Sequence, residues 1–85
     1  VAFITVRVKL FGYIREATGM KEMAIHLDSN HTGVNDLKQN FYEKYPKIAS
    51  NGVFIMVTVN RKVANDSTRI ASSDEVALLP LVSGG

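Results

Sequence analysis

One stretch of this chain carries apolar residues at helical spacing for long enough to make a substantial helix, and on both sides of it the apolar residues recur at every second position. That arrangement leaves few folds open, because period-two stretches build a sheet and the helix must bury its apolar stripe against one sheet face. The helical stretch holds Val34, Leu37, Phe41 and Tyr45; Asp28-Ser29-Asn30-His31 before it is turn chemistry, Thr32 is expected to cap it, and Pro46 is expected to stop it. Before it, Ile4, Val6, Val8 and Leu10 alternate with Thr5, Arg7 and Lys9, and Met23, Ile25 and Leu27 alternate with Ala24 and His26. These predict two strands close enough in sequence to pair antiparallel. Between them, Gly12 to Gly19 reads as one or two helical turns with Gly19 suited to the left-handed closing position. After the main helix, Val53 to Val59 predicts a third strand, with Val53, Ile55, Val57 and Val59 on one face and Phe54, Met56 and Thr58 on the other. Asn60-Arg61-Lys62 turns the chain, Asp66 to Ile70 reads as irregular or 3₁₀, and a last strand is expected from Glu75 to Leu81. The predicted class is α+β.

At 85 residues the chain is expected to be one domain, residues 1–85, with 81–85 as an extended tail. A domain of that size buries about 60–65% of the surface its unfolded chain exposes, so a deep active-site cavity is not expected. The chain has no repeat and no low-complexity segment. Its ten basic and eight acidic residues are dispersed, with no basic run longer than Arg61-Lys62, which argues against nucleic-acid binding. Without cysteine there is no disulfide, no thiolate nucleophile and no thiolate-bound metal. Arg7 and Lys9 interrupt the apolar start, so neither a signal peptide nor a membrane span is expected, and the expected location is cytoplasmic.

The residues that packing explains worst are the last six, Pro80-Leu81-Val82-Ser83-Gly84-Gly85. With glycine at roughly 7% of residues, two glycines fall in the last two places by chance in only about 0.5% of chains. An expression scar is the plain alternative. The physical fit favours a use: a strand that runs into two residues without Cβ presents a terminal carboxylate on a thin, adaptable thread able to enter a narrow site in another protein. A carboxylate at neutral pH is a poor electrophile and needs activation, yet the chain has no glycine-rich phosphate loop of the G-x-x-x-x-G-K type. The activating enzyme is therefore expected to be a separate protein.

Three segments, Leu10-Phe11-Gly12-Tyr13-Ile14-Arg15-Glu16-Ala17-Thr18-Gly19, Val59-Asn60 and Asp74 through Gly85, together resemble the MoaD/ThiS family of ubiquitin-like sulfur carriers, closest within it to the small subunits of molybdopterin synthase. The Phe-x-x-x-Arg-Glu-x-x-Gly element separates the chain from the shorter thiamine-pathway carriers; Leu81 stands where some relatives have a second proline. The resemblance implies a β-grasp fold, a mixed sheet with one main helix packed across it. It implies a carrier with no bound cofactor, ATP being used by a separate ubiquitin-activating-type adenylyltransferase (MoaB/MoeB-like). Gly85 would be adenylated and converted to a thiocarboxylate, with Gly84 giving access. The large synthase subunit (MoaE-like) would then accept the tail and supply the catalytic groups for sulfur transfer to a pyranopterin, in an assembly of two small and two large subunits.

On the last strand, Val76 and Leu78 are expected to face the core, while Ala77, Leu79 and Leu81 fall on the opposite face, with Phe54 and Met56 on the same side by parity. An apolar outer face beside the tail suits a docking surface, with Leu79, Leu81, Val82, Ser83, Phe54 and Met56 as partner-binding residues. The alternative is that a run apolar throughout defeats the parity argument and some of these are core. His26 and His31 have no companion ligands and read as a solvated strand residue and a turn residue. Arg15 and Glu16 read equally as partner contacts or as a solvated helix face, Met20 and Met23 as packing residues, and Asp74-Glu75 as a polar turn or, from its place just before the last strand, as a contact with the activating enzyme. Rival uses of the same tail are a protein modifier joined to lysines, or a sulfur carrier for thiamine or tRNA thiolation; a plain interaction module with an accidental tail is the third.

Overall fold

The alternation at the start of the chain becomes strand β1, Phe3–Leu10, whose Val6, Val8 and Leu10 are fully buried while Thr5, Arg7 and Lys9 are exposed. The computed structural model describes residues 2–50 and 54–81. Helix α1, Gly12–Thr18, follows, and Gly19 closes it in the left-handed region at φ 72° with its N–H on the Arg15 carbonyl. Next come β2, Glu22–Asp28; α2, Val34–Lys44; α3, Pro46–Ser50; β3, Phe54–Val59; β4, Lys62–Val63; and β5, Val76–Leu81.

The strands form one five-stranded sheet in the order β2-β1-β5-β3-β4. Strand β1 is antiparallel to β2, from Phe3↔Asp28 to Lys9↔Glu22, and parallel to β5, with Val8↔Val76, Lys9↔Ala77 and Leu10↔Leu78. Strand β3 is antiparallel to β5 from Phe54↔Leu81 to Val59↔Val76. The last strand therefore lies inside the sheet, between the first and third, and almost the whole chain serves as the crossover that a parallel pairing needs.

One sheet face carries the core: Val6, Val8 and Leu10 of β1, Ile25 and Leu27 of β2, Ile55 and Val57 of β3, and Val76 and Leu78 of β5 are buried against Ile14 of α1, Val34, Leu37 and Phe41 of α2, and Ile48 of α3. Tyr42 and Tyr45 pack at the margin of this core, the Tyr45 ring 5.1 Å from that of Phe41. Met20 and Met23 also pack against it.

Proline at position 80 determines where the β1–β5 ladder stops. The Phe11 N–H donates to the Leu78 carbonyl at 3.2 Å, and the next bond of a parallel ladder would run from the N–H of residue 80 to the Phe11 carbonyl. Pro80 has no N–H to give. The Phe11 carbonyl instead accepts from Ile14 and Arg15, and that is the start of α1.

Two local expectations are corrected, at Thr32 and Lys62, and two are refined, at Pro46 and at residues 66–70. Gly33, not Thr32, is the N-cap of α2; the Thr32 carbonyl accepts from Ile70 N–H at 2.8 Å, which holds that residue in the contact with the following loop, and Gly33 N–H donates to Asp36 Oδ2. Pro46 ends α2 but also begins α3, since proline suits a first helical position. The chain does not simply turn at Asn60-Arg61-Lys62: Lys62–Val63 pairs back on β3 as β4. Residues 66–70 are irregular, as one of the two expected alternatives has it: a turn and an isolated bridge, Gly33↔Arg69. Val53, expected in the third strand, lies outside the described residues. No helix among the described residues is long and apolar enough to cross a membrane.

Candidate functional site

Strand β5 is fully buried at Val76 and Leu78, and its register against β3 sets the outward residues opposite one another: Phe54 with Leu81, Met56 with Leu79, Thr58 with Ala77. Residues directly opposite in an antiparallel pair have Cβ atoms about 4.5–5.5 Å apart, so these form a continuous stripe. Phe54 is 75% and Leu81 52% exposed, far above what packing alone would leave for such large apolar side chains. Met56 and Leu79 are half-buried and do not belong to the core cluster; Ala77 is nearly covered. Val82, Ser83, Gly84 and Gly85, the remaining residues singled out from the sequence, lie outside the described residues.

At one end of the stripe the face changes character. A shallow depression of about 310 Å³ has Phe11, Ala77 and Leu79 on its apolar side and Lys9, Arg61 and Glu75 on its charged side, with Thr58 also lining it. Glu75 Oε1 lies 3.3 Å from Lys9 Nζ and Oε2 lies 3.3 Å from Arg61 Nε. Hydrogen bonding and charge from Lys9, then from Arg61, hold the Glu75 carboxyl below its ordinary pKa. Behind it, Asn60 clasps the residues that lead into β5. Its N–H donates to the Glu75 carbonyl at 2.7 Å, its Oδ1 accepts from Glu75 N–H at 2.9 Å, and its Nδ2 donates to Asp74 Oδ1 at 3.0 Å. Asp74 Oδ2 accepts from Ala71 N–H, and this bond, followed by the one from Asn60, lowers the Asp74 pKa.

The sequence marked Asn60 and Asp74-Glu75 as turn residues and as parts of a resemblance, and did not single out Lys9, Arg61 or Phe11 for the face. The available signal was two residues between period-two runs, with asparagine first, which is the pattern of a tight hairpin turn. Arg15 sits with its guanidinium carbon 5.9 Å from the Phe11 ring centroid, at the end of the face nearest α1. His26 is exposed on β2 with Thr5 Oγ1 3.0 Å from its Nδ1, and His31 is an exposed turn residue. Among the described residues no three His, Cys, Asp or Glu side chains are grouped to hold a metal. A larger depression of about 490 Å³, between α1 and α3, is lined by Tyr13, Lys44, Tyr45 and Lys47 but offers no carboxylate or imidazole. The described surface thus presents an apolar stripe on β3 and β5 with a charged rim at one end.

Residues 8–85 match the ThiS family. The chain belongs to that family. Among ThiS-family relatives, it is 35% identical over 85 residues to the molybdopterin synthase sulfur carrier subunit of Mycobacterium tuberculosis, covering 96% of this chain and 99% of that one. The subunit of the same name from Arabidopsis thaliana is 27% identical, covering 96% and 84%. Among solved structures, small archaeal modifier protein SAMP1 from Haloferax volcanii superposes with a TM-score of 0.78 at 27% identity, covering 95% of this chain and 99% of that one. A chain from the complex of subunits 1 and 2 of the molybdopterin-converting factor of Helicobacter pylori gives a TM-score of 0.60 at 26% identity, covering 96% and 100%. The five-stranded mixed sheet with helices across one face is the β-grasp, ubiquitin-like fold of this ThiS-family chain.

Proposed function

We propose that this ThiS-family chain is a sulfur carrier for molybdopterin synthesis, with the terminal carboxylate of Gly85 as the group that is loaded. The observation that carries the reading is the position of β5: an interior strand whose outward residues form an apolar stripe, and which ends at Leu81, four residues before Gly85. At about 3.3–3.6 Å per residue, four residues reach at most about 14 Å from Leu81, so a partner that receives Gly85 must lie against the domain, where the stripe would hold it. Near full-length similarity to relatives named sulfur carrier subunits supports the cargo.

The chain supplies a substrate group rather than catalytic residues. A separate adenylyltransferase joins the Gly85 carboxylate oxygen to the α-phosphorus of ATP and releases pyrophosphate; a sulfide-level nucleophile then attacks the acyl carbon and AMP leaves. The resulting thiocarboxylate is nucleophilic at sulfur, and holding it in a large synthase subunit raises its effective concentration and excludes water. Gly84 has no side chain to obstruct that approach. Leu79, Leu81, Phe54 and Met56 form the docking stripe, and Val82 and Ser83 are proposed as further partner-binding residues. Intact-mass spectrometry after incubation with ATP, the cognate adenylyltransferase and a sulfur source tests the reading: one oxygen of Gly85 is exchanged for sulfur, and deletion of Gly85 abolishes the change while leaving the fold. No exchange with an active enzyme would defeat it.

The likeness to SAMP1, a small archaeal modifier protein, favours a second reading in which a lysine amine attacks the same adenylate and forms an isopeptide bond. Adducts on lysines of other proteins in the same assay would select that use. Loss of thiamine or of thiolated tRNA on deletion would reassign the cargo instead.

A further inference from the structure

The turn joining β3 to β4 holds two successive non-glycine residues at positive φ, Asn60 at 53° and Arg61 at 68°. A two-residue hairpin with both φ positive is a type I′ turn, for which asparagine followed by glycine is the favoured pair. Asn60 has a local reason to be there, since its backbone and side chain together make three hydrogen bonds to Asp74 and Glu75. Arg61 has none of that kind. Its one hydrogen bond among those described is to Glu75 Oε2, a carboxylate that Lys9 also contacts, and its side chain is 88% exposed. A side chain with a Cβ is strained at that φ where glycine is not, and an exposed ion pair returns little stability. Such strain persists where the side chain serves something other than folding.

What the side chain does is carry a guanidinium to the rim of the depression formed by Phe11, Ala77 and Leu79. Lys9 stands on the same rim, and the two cations share the single carboxylate of Glu75, which leaves an excess of one positive charge against the apolar stripe. We infer that Arg61, with Lys9, is a specificity-determining contact for the adenylyltransferase that loads the chain, which would present a carboxylate next to an apolar side chain, the apolar group seated on Phe11 and Leu79 and the carboxylate meeting the Arg61 guanidinium. Glu75 holds both cations in place before binding, so less side-chain freedom is lost when the partner arrives. The inference rests on the docking face of the proposed function and adds the chemistry of what docks there. The charge at the rim steers encounter and discriminates among partners, while the apolar stripe supplies the contact area.

The test uses the full chain and its cognate adenylyltransferase, with association rates measured at low and high salt for the parent, Arg61→Gly, Arg61→Lys, Arg61→Glu and Leu79→Asp, and melting temperatures for each. Arg61→Gly is expected to melt no lower than the parent, to associate about three- to tenfold more slowly at low salt, and to lose much of the salt dependence. Arg61→Lys keeps most of the parent rate because it keeps the charge; Arg61→Glu is slower than Arg61→Gly. A melting temperature that falls in Arg61→Gly would give the side chain a structural reason and overturn the inference. So would unchanged association in Arg61→Gly when Leu79→Asp has lost binding, an outcome that leaves the docking face standing. A parent chain that does not bind the adenylyltransferase at all, and is not loaded by it, would overturn the proposed function and this inference together.

Discussion

At the scale of single residues, the start of α1 lies close against Pro80 of β5. Gly12 adopts φ 55°, and a Cβ there would lie 3.0 Å from Cγ of Pro80. Gly12→Ala is therefore expected to lower stability by about 1–2 kcal/mol from the backbone conformation, with the steric conflict added, as measured by urea unfolding. Two apolar residues of similar hydrophobicity then behave oppositely. Phe41 is fully buried among core residues, so Phe41→Ala is expected to cost about 3–5 kcal/mol. Leu79 lies on the outer face, outside the core cluster, and Leu79→Asp is expected to cost about 1 kcal/mol or less in the same titration while removing partner binding.

Among elements, β5 has the most restrictive position. It is paired on both sides through its first half and with β3 alone towards its end, because Pro80 breaks the ladder to β1. Its start is tied by the Asn60 clasp to the turn after β3. Asn60→Ala removes two side-chain hydrogen bonds and leaves a Cβ residue at positive φ; a loss of about 1–3 kcal/mol is expected, with faster amide exchange at Glu75 as the local readout. The same clasp orients Glu75 between Lys9 and Arg61, so a fold element and the charged rim of the face share one set of bonds.

For the whole molecule, the depressed pKa values of Asp74 and Glu75 give the response to acid a definite sign. A carboxyl whose folded pKa lies below its unfolded value binds fewer protons in the folded state, so its stabilising contribution is complete above the unfolded pKa and is lost as pH falls through the folded one. Urea midpoints are expected to hold from neutral pH down to the ordinary carboxylate range near 4 and to decline below it. Asp74→Asn together with Glu75→Gln is expected to flatten that decline. Salt lowers the contribution of exposed Glu75 in the same experiment, because its partners are solvent-exposed cations.

Legibility followed the range of the forces involved. Period two and period 3.6 are local properties of covalent geometry, so the four long strands, α1, α2 and the buried side of each strand could be read from residue order, as could the outward parity of Phe54, Met56, Leu79 and Leu81. The helix cap at Gly33 and the pairing of Lys62–Val63 could not, because each depends on hydrogen bonds with partners elsewhere in the chain: Ile70 on Thr32, β3 on β4. Leu79 and Leu81 posed the same limit. Parity put them on the side away from Val76 and Leu78, but only the register of β5 against β3 set them opposite Met56 and Phe54. Residue order by itself thus determined the four long strands, α1 and α2, and the buried face of each. Tertiary structure decided that the last strand lies between the first and third, and that Lys9, Arg61 and Glu75 meet at the edge of one apolar face, since charges far apart in sequence are brought together only by strand order.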